Sequence, residues 1–339
     1  MPPSATTLEA IGWLALTGLL AVFIALGLLK FIVFLLFMRL VMDLLVDSLG
    51  NRVGFMSRKA ILYAVSLIVA GVIALLAAVV VPSFAAELPA YTLNLDRNLT
   101  GKVTELLAST GVSVDVEMLK VRAMEWGREH VGESMSLARR AGTNVVLLIM
   151  AYIITVVVKH DRIGEADARG SGRPPDNLWE FLADFLGQKI GTFYRGFRQV
   201  MAGQVVIALV NAALTVGLLV VLGIPHKTAL TVLVFVFGLL PIVGNLISNT
   251  VICVSALLWT GPAQVLVALA FLVVIHKLEY VLNGKIIGHM VKLPLHLTLL
   301  GLIVGELLFH ISGMILAIPL ILFVRAELAA VEIGAPQSS

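Results

Sequence analysis

The stretch that decides the fold is residues 230–325, an almost continuous apolar segment that is broken twice. It begins with LTVLVFVFGLLPIVGN (230–245) and later contains GELLFHISGMILAIP (305–319). Backbone that leaves helical geometry at membrane depth must be buried in protein or line a watery cavity, because lipid cannot satisfy its N–H and C=O groups. Paired broken hydrophobic segments are the best sequence indication of a transport site. We therefore predict a polytopic membrane protein whose site lies near these two breaks.

The composition of the whole chain indicates the same class. Hydrophobic residues make up 59% of the 339 positions and charged residues 13%, whereas soluble domains are about half apolar and about a quarter charged. The net charge is only +3, and the basic residues fall in short loops between apolar runs. This distribution is typical of the positive-inside rule and not of a nucleic-acid-binding surface, so we expect a lipid bilayer as partner and no nucleic acid.

The chain lacks the motifs of the common enzyme and metal sites. It has one cysteine, Cys253, which lies in an apolar run and excludes a disulfide framework. HExxH, GxSxG and the Walker glycine loop are all missing from the sequence. We therefore expect no enzymatic activity, no catalytic residues, no metal site and no cofactor.

The order of apolar and charged segments predicts six regions. They are N-terminal membrane helices (1–82), a small extracytoplasmic helical insert (83–143), a membrane helix (144–158), a cytoplasmic linker with an amphipathic helix (159–199), a transport core with two broken hairpins (200–325) and a cytoplasmic tail (326–339). Residues 1–10 contain no Lys or Arg, which favours an uncleaved membrane helix over a signal peptide. Residues 11–49 could form one membrane helix or two, and Arg39, Asp43 and Asp47 would then form an ion-pair stripe on one helix face.

Loop charges favour hairpins at both breaks. If Pro241 marks the tip of a re-entrant hairpin, the polar island at residues 283–292 lies in the cytoplasm, as its lysines require. A second hairpin near Gly313 returns Arg325 to the same side. The predicted fold is therefore an all-α polytopic membrane protein with about eight membrane helices, including two broken or re-entrant segments.

Polar side chains inside the apolar runs are candidates for substrate contact or coupling, because burying them in a membrane is costly. Glu306 and His310 are four residues apart and can share a proton or a hydrogen bond, although a polar helix–helix contact would also explain them. Asn245 and Asn249 follow the Pro241 break with the same spacing, where they could bind a polar solute or cap a helix. Asn211 adds uncharged polarity in an earlier span.

The glycines and prolines at the breaks are expected to act as gates, hinges or close-packing positions. The residues concerned are Pro241, Gly244, Gly313 and Pro319.

Five short motifs also resemble a known family, in the same order along the chain. They are Gly203-Gln204, LGIP (222–225), LPIVG (240–244), GKIIG (284–288) and GMILAIP (313–319). Together they are similar to the autoinducer-2 exporter family, over residues 179–324. The chain departs from the family pattern in three places, with Gly284 where proline is usual, Pro294 one position early and His310 in place of glycine.

The resemblance implies a multi-pass protein of the bacterial inner membrane that forms homo-oligomers, for example a pentamer. It also implies either export of the furanosyl signal autoinducer-2 or sodium/proton exchange. We therefore expect a secondary exporter or facilitator of small polar solutes, with a cation/proton antiporter that uses Glu306 and His310 as the alternative. A membrane scaffold that recruits partners through its extracytoplasmic insert is a third possibility.

Overall fold

A computed structural model describes residues 5–53, 56–80, 82–83, 86–87, 134–165, 175, 177–240, 243–286 and 293–330. These residues are mainly helical and contain no strand, which confirms the all-α class. Five parts of the predictions lie outside the described residues: most of the insert, residues 166–174 and 176 of the linker, Pro241, the end of the polar island at 287–292 and the last nine positions of the tail.

Nine α-helices are present in the described part of the chain. They are α1 (Ala5–Ala25), α2 (Leu29–Arg52), α3 (Arg58–Leu75), α4 (Ser134–Glu165), α5 (Leu178–Val221), α6 (Lys227–Gly238), α7 (Val243–Trp259), α8 (Pro262–Ile286) and α9 (Leu295–Ala329). A short π-helical segment, Leu76–Val80, extends α3. The amphipathic segment and the span predicted on either side of residue 200 form one continuous helix, α5.

Residues 11–49 form two helices. α1 and α2 are separated by a turn at Leu26–Leu28, where Gly27 has a φ of 66°. Glycine adopts this left-handed conformation without the steric penalty of a Cβ, so it is suited to a sharp turn between helices. The two-helix interpretation of this segment is therefore the one that the structure supports.

Five described helices are long and apolar enough to cross a membrane. The segments are Thr6–Ala25, Arg58–Val79, Thr143–Asp161, Leu178–Val221 and His296–Ala329. α6 and the apolar part of α7, Gly244–Trp259, are shorter apolar helices. With 12 residues, α6 spans only about 18 Å, against a hydrocarbon core of about 30 Å. A multi-pass membrane protein is thus supported, while the total of about eight membrane helices stays a prediction.

The last long helix is broken inside. Phe309 (φ −140°, ψ 16°) and His310 (φ 53°, ψ −140°) are not helical, and they divide α9 into two arms. The arms run back along each other, because Gly305 lies against Gly313 and Gly301 lies against Ala317 and Ile321. The predicted break in this segment is therefore present, and it turns the chain into a helical hairpin. Re-entry of that hairpin into the membrane from one side stays a prediction.

The chain divides into two compact units. One contains residues 1–67, 147–201 and 292–339, and the other contains residues 68–146 and 202–291. In the second unit, α7 packs against both α6 and α8. Its apolar core joins the end of α5 to these helices through the buried residues Leu219, Ile224, Leu230, Ile252 and Ala268.

In the first unit, the end of α9 is held to α5 and α1. Lys189 Nζ lies 2.5 Å from Glu327 Oε2 and 4.9 Å from the centre of the Trp13 ring. The Trp13 ring meets Phe185 edge to face at 5.7 Å. Gly12 allows this approach, since a Cβ there would lie 2.7 Å from the Phe185 ring.

Candidate functional site

The end of α6 and the start of α7 pack so closely against each other that a small residue is required at Gly244. α6 ends at Gly238, and the Leu240 N–H donates to the Phe237 carbonyl oxygen at 2.8 Å to tighten the last turn. A Cβ on Gly244 would lie 1.7 Å from that same carbonyl oxygen. The start of α7 can therefore approach the end of α6 only with glycine at this position. Gly244 is a close-packing residue of the hairpin.

Gln204 holds the end of α6 from the neighbouring helix α5. Its Nε2 donates to the Gly238 carbonyl oxygen at 2.7 Å, and Gln204 is buried, with 4% of its surface exposed. One turn further along α5, Ala208 is small enough to contact Gly238, where an added Cβ would be 3.0 Å from the Ala208 Cβ. The hydrogen bond satisfies a carbonyl that the helix end leaves without an intrahelical partner. Sequence reasoning noted Gln204 only as part of a motif and missed this role.

Asn211 lies two turns beyond Gln204 on the same side of α5. It is 3% exposed, and neither its Nδ2 nor its Oδ1 has a hydrogen-bond partner among the described residues. Thr231 Oγ1 on α6 is also buried without such a partner. Asn211 follows Gln204 by seven residues and Thr231 precedes Gly238 by seven, so we expect both to lie at a similar level if the two helices run antiparallel from the Gln204–Gly238 contact. Each of the two helices thus contributes a buried polar side chain without a hydrogen-bond partner among the described residues, and we expect the two to form one polar level.

Asn245 and Asn249 occupy the first turns of α7. Both are half-buried, and no side-chain hydrogen bond to either is present among the described residues. The Asn245 backbone carbonyl accepts a hydrogen bond from Ser248 Oγ at 3.2 Å. Asn245, Asn249 and Asn211 all belong to the same compact unit. Among the described residues, the side-chain amides of Asn245 and Asn249 form no helix-capping hydrogen bond.

Glu306 and His310 come together in the first arm of α9, at the break. His310 Nδ1 lies 4.0 Å from Glu306 Oε1, which allows an ion pair when the imidazole is protonated. The His310 side chain is 86% exposed and the Glu306 side chain is 51% exposed, so other residues of the chain bury only part of this pair. Their surroundings on this helix are exposed and apolar, for example Leu307, Leu308 and Ile311. The predicted pairing is geometrically possible, and its role stays a prediction.

The two arms of α9 meet backbone to backbone beside this pair. A Cβ on Gly313 would lie 1.9 Å from the Gly305 carbonyl oxygen, and a Cβ on Gly305 would lie 2.6 Å from the Gly313 oxygen. Pro319 is buried in the second arm, where its carbonyl oxygen would be 3.6 Å from a Cβ on Gly196 of α5. Glu306, His310, Gly313 and Pro319 all belong to the other compact unit, so the predicted residues form two sets that are described separately.

Within the described residues, no group of three or more His, Cys, Asp and Glu side chains is arranged to hold a metal ion. The polar groups at the breaks are amides, hydroxyls and one Glu–His pair. Such groups can bind a polar solute by hydrogen bonding or carry a proton.

Comparison with known proteins agrees with the transporter class. Residues 175–333 match the family described as "AI-2E family transporter". The chain is 34% identical over 158 residues to "Putative transport protein YdbI" of Bacillus subtilis (strain 168), a match that covers 43% of this chain and 45% of that protein. It is 29% identical over 118 residues to "Putative transport protein MT0215" of Mycobacterium tuberculosis (strain CDC 1551 / Oshkosh), which covers 34% of this chain and 32% of that protein.

The matches cover less than half of either relative's length. The matched region contains α5 to α9, and thus both breaks and all the predicted site residues. The resemblance recognised in the sequence is therefore confirmed for this part of the chain: residues 175–333 match the AI-2E transporter family.

Proposed function

We propose that this protein is a secondary transporter that exports small polar solutes such as autoinducer-2, or facilitates their passage, across the inner membrane of a bacterium. The observation that carries this proposal is the buried Asn211 amide, which has no hydrogen-bond partner among the described residues. Its position on α5, beside the hairpin of α6 and α7, links the polar level to the broken segment that is typical of transport sites.

The unsatisfied groups of Asn211 and Thr231 carry an energetic cost. A buried donor or acceptor without a partner costs about 1–3 kcal/mol, and Asn211 contributes both a donor and an acceptor. Thr231 adds a hydroxyl at the same level. Water or a solute with hydroxyl and carbonyl groups can satisfy all three groups, because each of its polar atoms can donate or accept. A sugar-like solute therefore fits the chemistry of this level better than an apolar compound.

The hairpin supplies the moving part of the proposed mechanism. α6 is too short to cross the membrane, and its last carbonyl is held by Gln204. Breaking the hydrogen bond between Gln204 and Gly238 releases the end of α6 and gives a solute a path past Asn245. Gly313 serves as the corresponding hinge of the second hairpin. Alternating access in transporters of this kind uses such discontinuous helices beside a fixed site.

Proteoliposomes that contain the purified protein and labelled autoinducer-2 test the proposal. We expect protein-dependent efflux from the parent and a loss of about 10-fold or more in Asn211→Leu, since one hydrogen bond to a solute is worth about 1.4 kcal/mol. Ser66→Ala is the matched control: its hydroxyl is also buried, but it donates to the Leu62 carbonyl of its own helix at 2.7 Å. Equal efflux from the parent and Asn211→Leu would contradict the proposed site.

The contact between Glu306 and His310 favours a second candidate, a sodium(cation)/proton antiporter. The pair lies at the break of α9, and an imidazole next to a carboxylate can pass a proton to it or accept one from it. Internal pH under a sodium gradient distinguishes the candidates: an antiporter loses sodium-dependent proton flux in Glu306→Gln. A neutral-solute transporter shows no such flux in the parent, and its solute efflux survives the same substitution.

The exposure of this pair also supports a homo-oligomer. A carboxylate and an imidazole on an otherwise apolar membrane helix are unfavourable toward lipid, so a second copy of the chain that covers them would stabilise the protein. Cross-linking of an Ile303→Cys variant on the same exposed face, in a Cys253→Ala background, should give covalent oligomers in membranes. Exclusively monomeric protein would contradict this arrangement.

A further inference from the structure

A cluster of charged and aromatic residues joins α2, α4 and α5 within the first unit. The Asp43 carboxylate accepts two short hydrogen bonds, from Lys159 Nζ at 2.5 Å and from Tyr194 Oη at 2.6 Å. Each of these three residues comes from a different helix. The sequence alone indicated an ion-pair stripe along α2, whereas the structure builds a centre that is shared by three helices.

Arg39 also belongs to the cluster, but its guanidinium N–H groups form no hydrogen bond within it. Its guanidinium stacks over the Tyr194 ring at 3.9 Å, which fixes its plane. Its Nε lies 3.9 Å from Asp43 Oδ2, too far for a hydrogen bond. No hydrogen bond from the Arg39 guanidinium to another described residue is present. The donors of a held guanidinium therefore remain free for a ligand.

A cavity opens beside these groups. Its volume is about 110 Å³, well above the roughly 10–15 Å³ that one water molecule needs. Arg39, Asp43 and Lys159 line it with charged groups, Leu35, Ile154 and Val158 line it with aliphatic groups, and Thr155, whose hydroxyl donates to the Ala151 carbonyl oxygen, completes the lining. The cavity thus has a polar end and an aliphatic wall, and it is formed by helices of a membrane protein.

The charges that line the cavity do not balance. Arg39 and Lys159 contribute two positive charges, and Asp43 contributes one negative charge. The nearby Asp47 is already paired with Arg198, whose Nη2 lies 3.0 Å from Asp47 Oδ2. The side chains of Arg39 and Lys159 are only 29% and 18% exposed. One excess positive charge is therefore partly withdrawn from water, which favours binding of an anion.

We propose that this cavity binds the phosphate group of an anionic phospholipid. Arg39 holds the phosphate oxygens with its free guanidinium donors, because the planar fork of arginine matches phosphate geometry. Lys159 adds a second donor while it keeps its bond to Asp43. The acyl chain lies along the wall formed by Leu35, Ile154 and Val158. A free phosphate ion would satisfy the charge and leave that wall uncovered, so the lipid is the better match.

The site is independent of the solute that the protein carries, because its residues are distinct from Asn211, Glu306 and His310. Basic pockets between membrane helices are known to hold anionic head groups on the cytoplasmic side. The positive-inside rule places the basic loop after α2 on that side, which is consistent with this assignment. A bound lipid would fasten α2 to α4 and stabilise the bundle.

The test is lipid binding to the purified, delipidated full chain. Thermal stability is followed in detergent during titration with phosphatidylglycerol, phosphatidylcholine or inorganic phosphate. We expect saturable stabilisation by phosphatidylglycerol and little by phosphatidylcholine or phosphate. Arg39→Gln should weaken the apparent affinity for phosphatidylglycerol by about 10-fold or more, as expected for a lost charge-assisted contact. Arg198→Gln removes the same charge outside the cavity, and its affinity should stay within about 2-fold of the parent.

Three results would overturn the inference. Equal losses in Arg39→Gln and Arg198→Gln would assign the effect to general surface charge. Equal stabilisation by phosphatidylcholine and phosphatidylglycerol would remove the need for an anion. Stabilisation by inorganic phosphate alone, at the same concentrations as the lipid, would make the ligand a free anion instead of a lipid. Native mass spectrometry of Arg39→Gln checks that the variant is folded and that only its bound lipid is lost.

Discussion

The close approach of Gly305 and Gly313 gives the sharpest test of the hairpin in α9. Replacing Gly313 by alanine would put a Cβ 1.9 Å from the Gly305 carbonyl oxygen, whereas Cβ contacts below 3.0 Å are essentially never seen. Because the atoms in the way belong to the backbone, they cannot turn aside as a flexible side chain would. Close-packed interiors have little room to relax, so the two arms would have to separate by about 1 Å.

The expected cost follows from that separation. A gap of this size removes about a quarter to a half of the dispersion energy of the contacts across it, and overpacked sites lose about 1–3 kcal/mol. Alanine regains about 0.5–1 kcal/mol over glycine inside a helix, which offsets only part of this loss. We therefore expect Gly313→Ala to lower the free energy of unfolding by about 1–2 kcal/mol.

Equilibrium unfolding in lipid bicelles measures this change. Gly71→Ala in α3 is the control, because nothing lies within 4 Å of a Cβ at that position. The control should be neutral or slightly more stable than the parent. If Gly313→Ala behaves like Gly71→Ala, the arms of α9 are not packed against each other and the hairpin is wrong.

Two further predictions concern contacts between helices. Gln204→Leu leaves the Gly238 carbonyl buried without its partner, and we expect a loss of about 1–3 kcal/mol in unfolding free energy together with faster proteolysis at the α6–α7 break; unchanged proteolysis would contradict the proposed latch. Lys189→Met leaves the Glu327 carboxylate partly buried and uncompensated, so it should destabilise the protein more than the double variant Lys189→Met/Glu327→Gln does. A double variant that is less stable than Lys189→Met would refute this explanation.

The positions of the breaks in the apolar segment could be predicted from the sequence, because they depend on local residue patterns. His310 and Ser312 place polar side chains in an apolar run, and the break is present at Phe309 and His310. The spacing of Glu306 and His310 likewise predicts their approach, and the side chains do come within 4.0 Å, although the helix is broken at His310 and the pair does not lie on a regular helix face.

Contacts between helices could not be predicted in the same way. Asp43 looked like one member of a stripe on α2, and its hydrogen bonds to Lys159 and Tyr194 depend on how α4 and α5 pack beside it. No role was predicted for Thr231, because a single threonine in an apolar run is common in membrane helices. Its importance appears only with the register that Gln204 and Gly238 set between α5 and α6. Long-range register is a property of packing, and no local pattern encodes it.

The measurement that tests the central claim most directly is thiol accessibility at Asn211. The native Cys253 is first replaced by alanine, and Asn211→Cys is compared with Leu219→Cys, which lies at a fully buried position of the apolar core. A small, charged, membrane-impermeant thiol reagent reacts only where water reaches. We predict that Asn211→Cys is labelled, that saturating autoinducer-2 slows its labelling, and that Leu219→Cys stays unlabelled. If Asn211→Cys is as unreactive as Leu219→Cys, then Asn211 does not line a polar path and the proposed transport site is wrong.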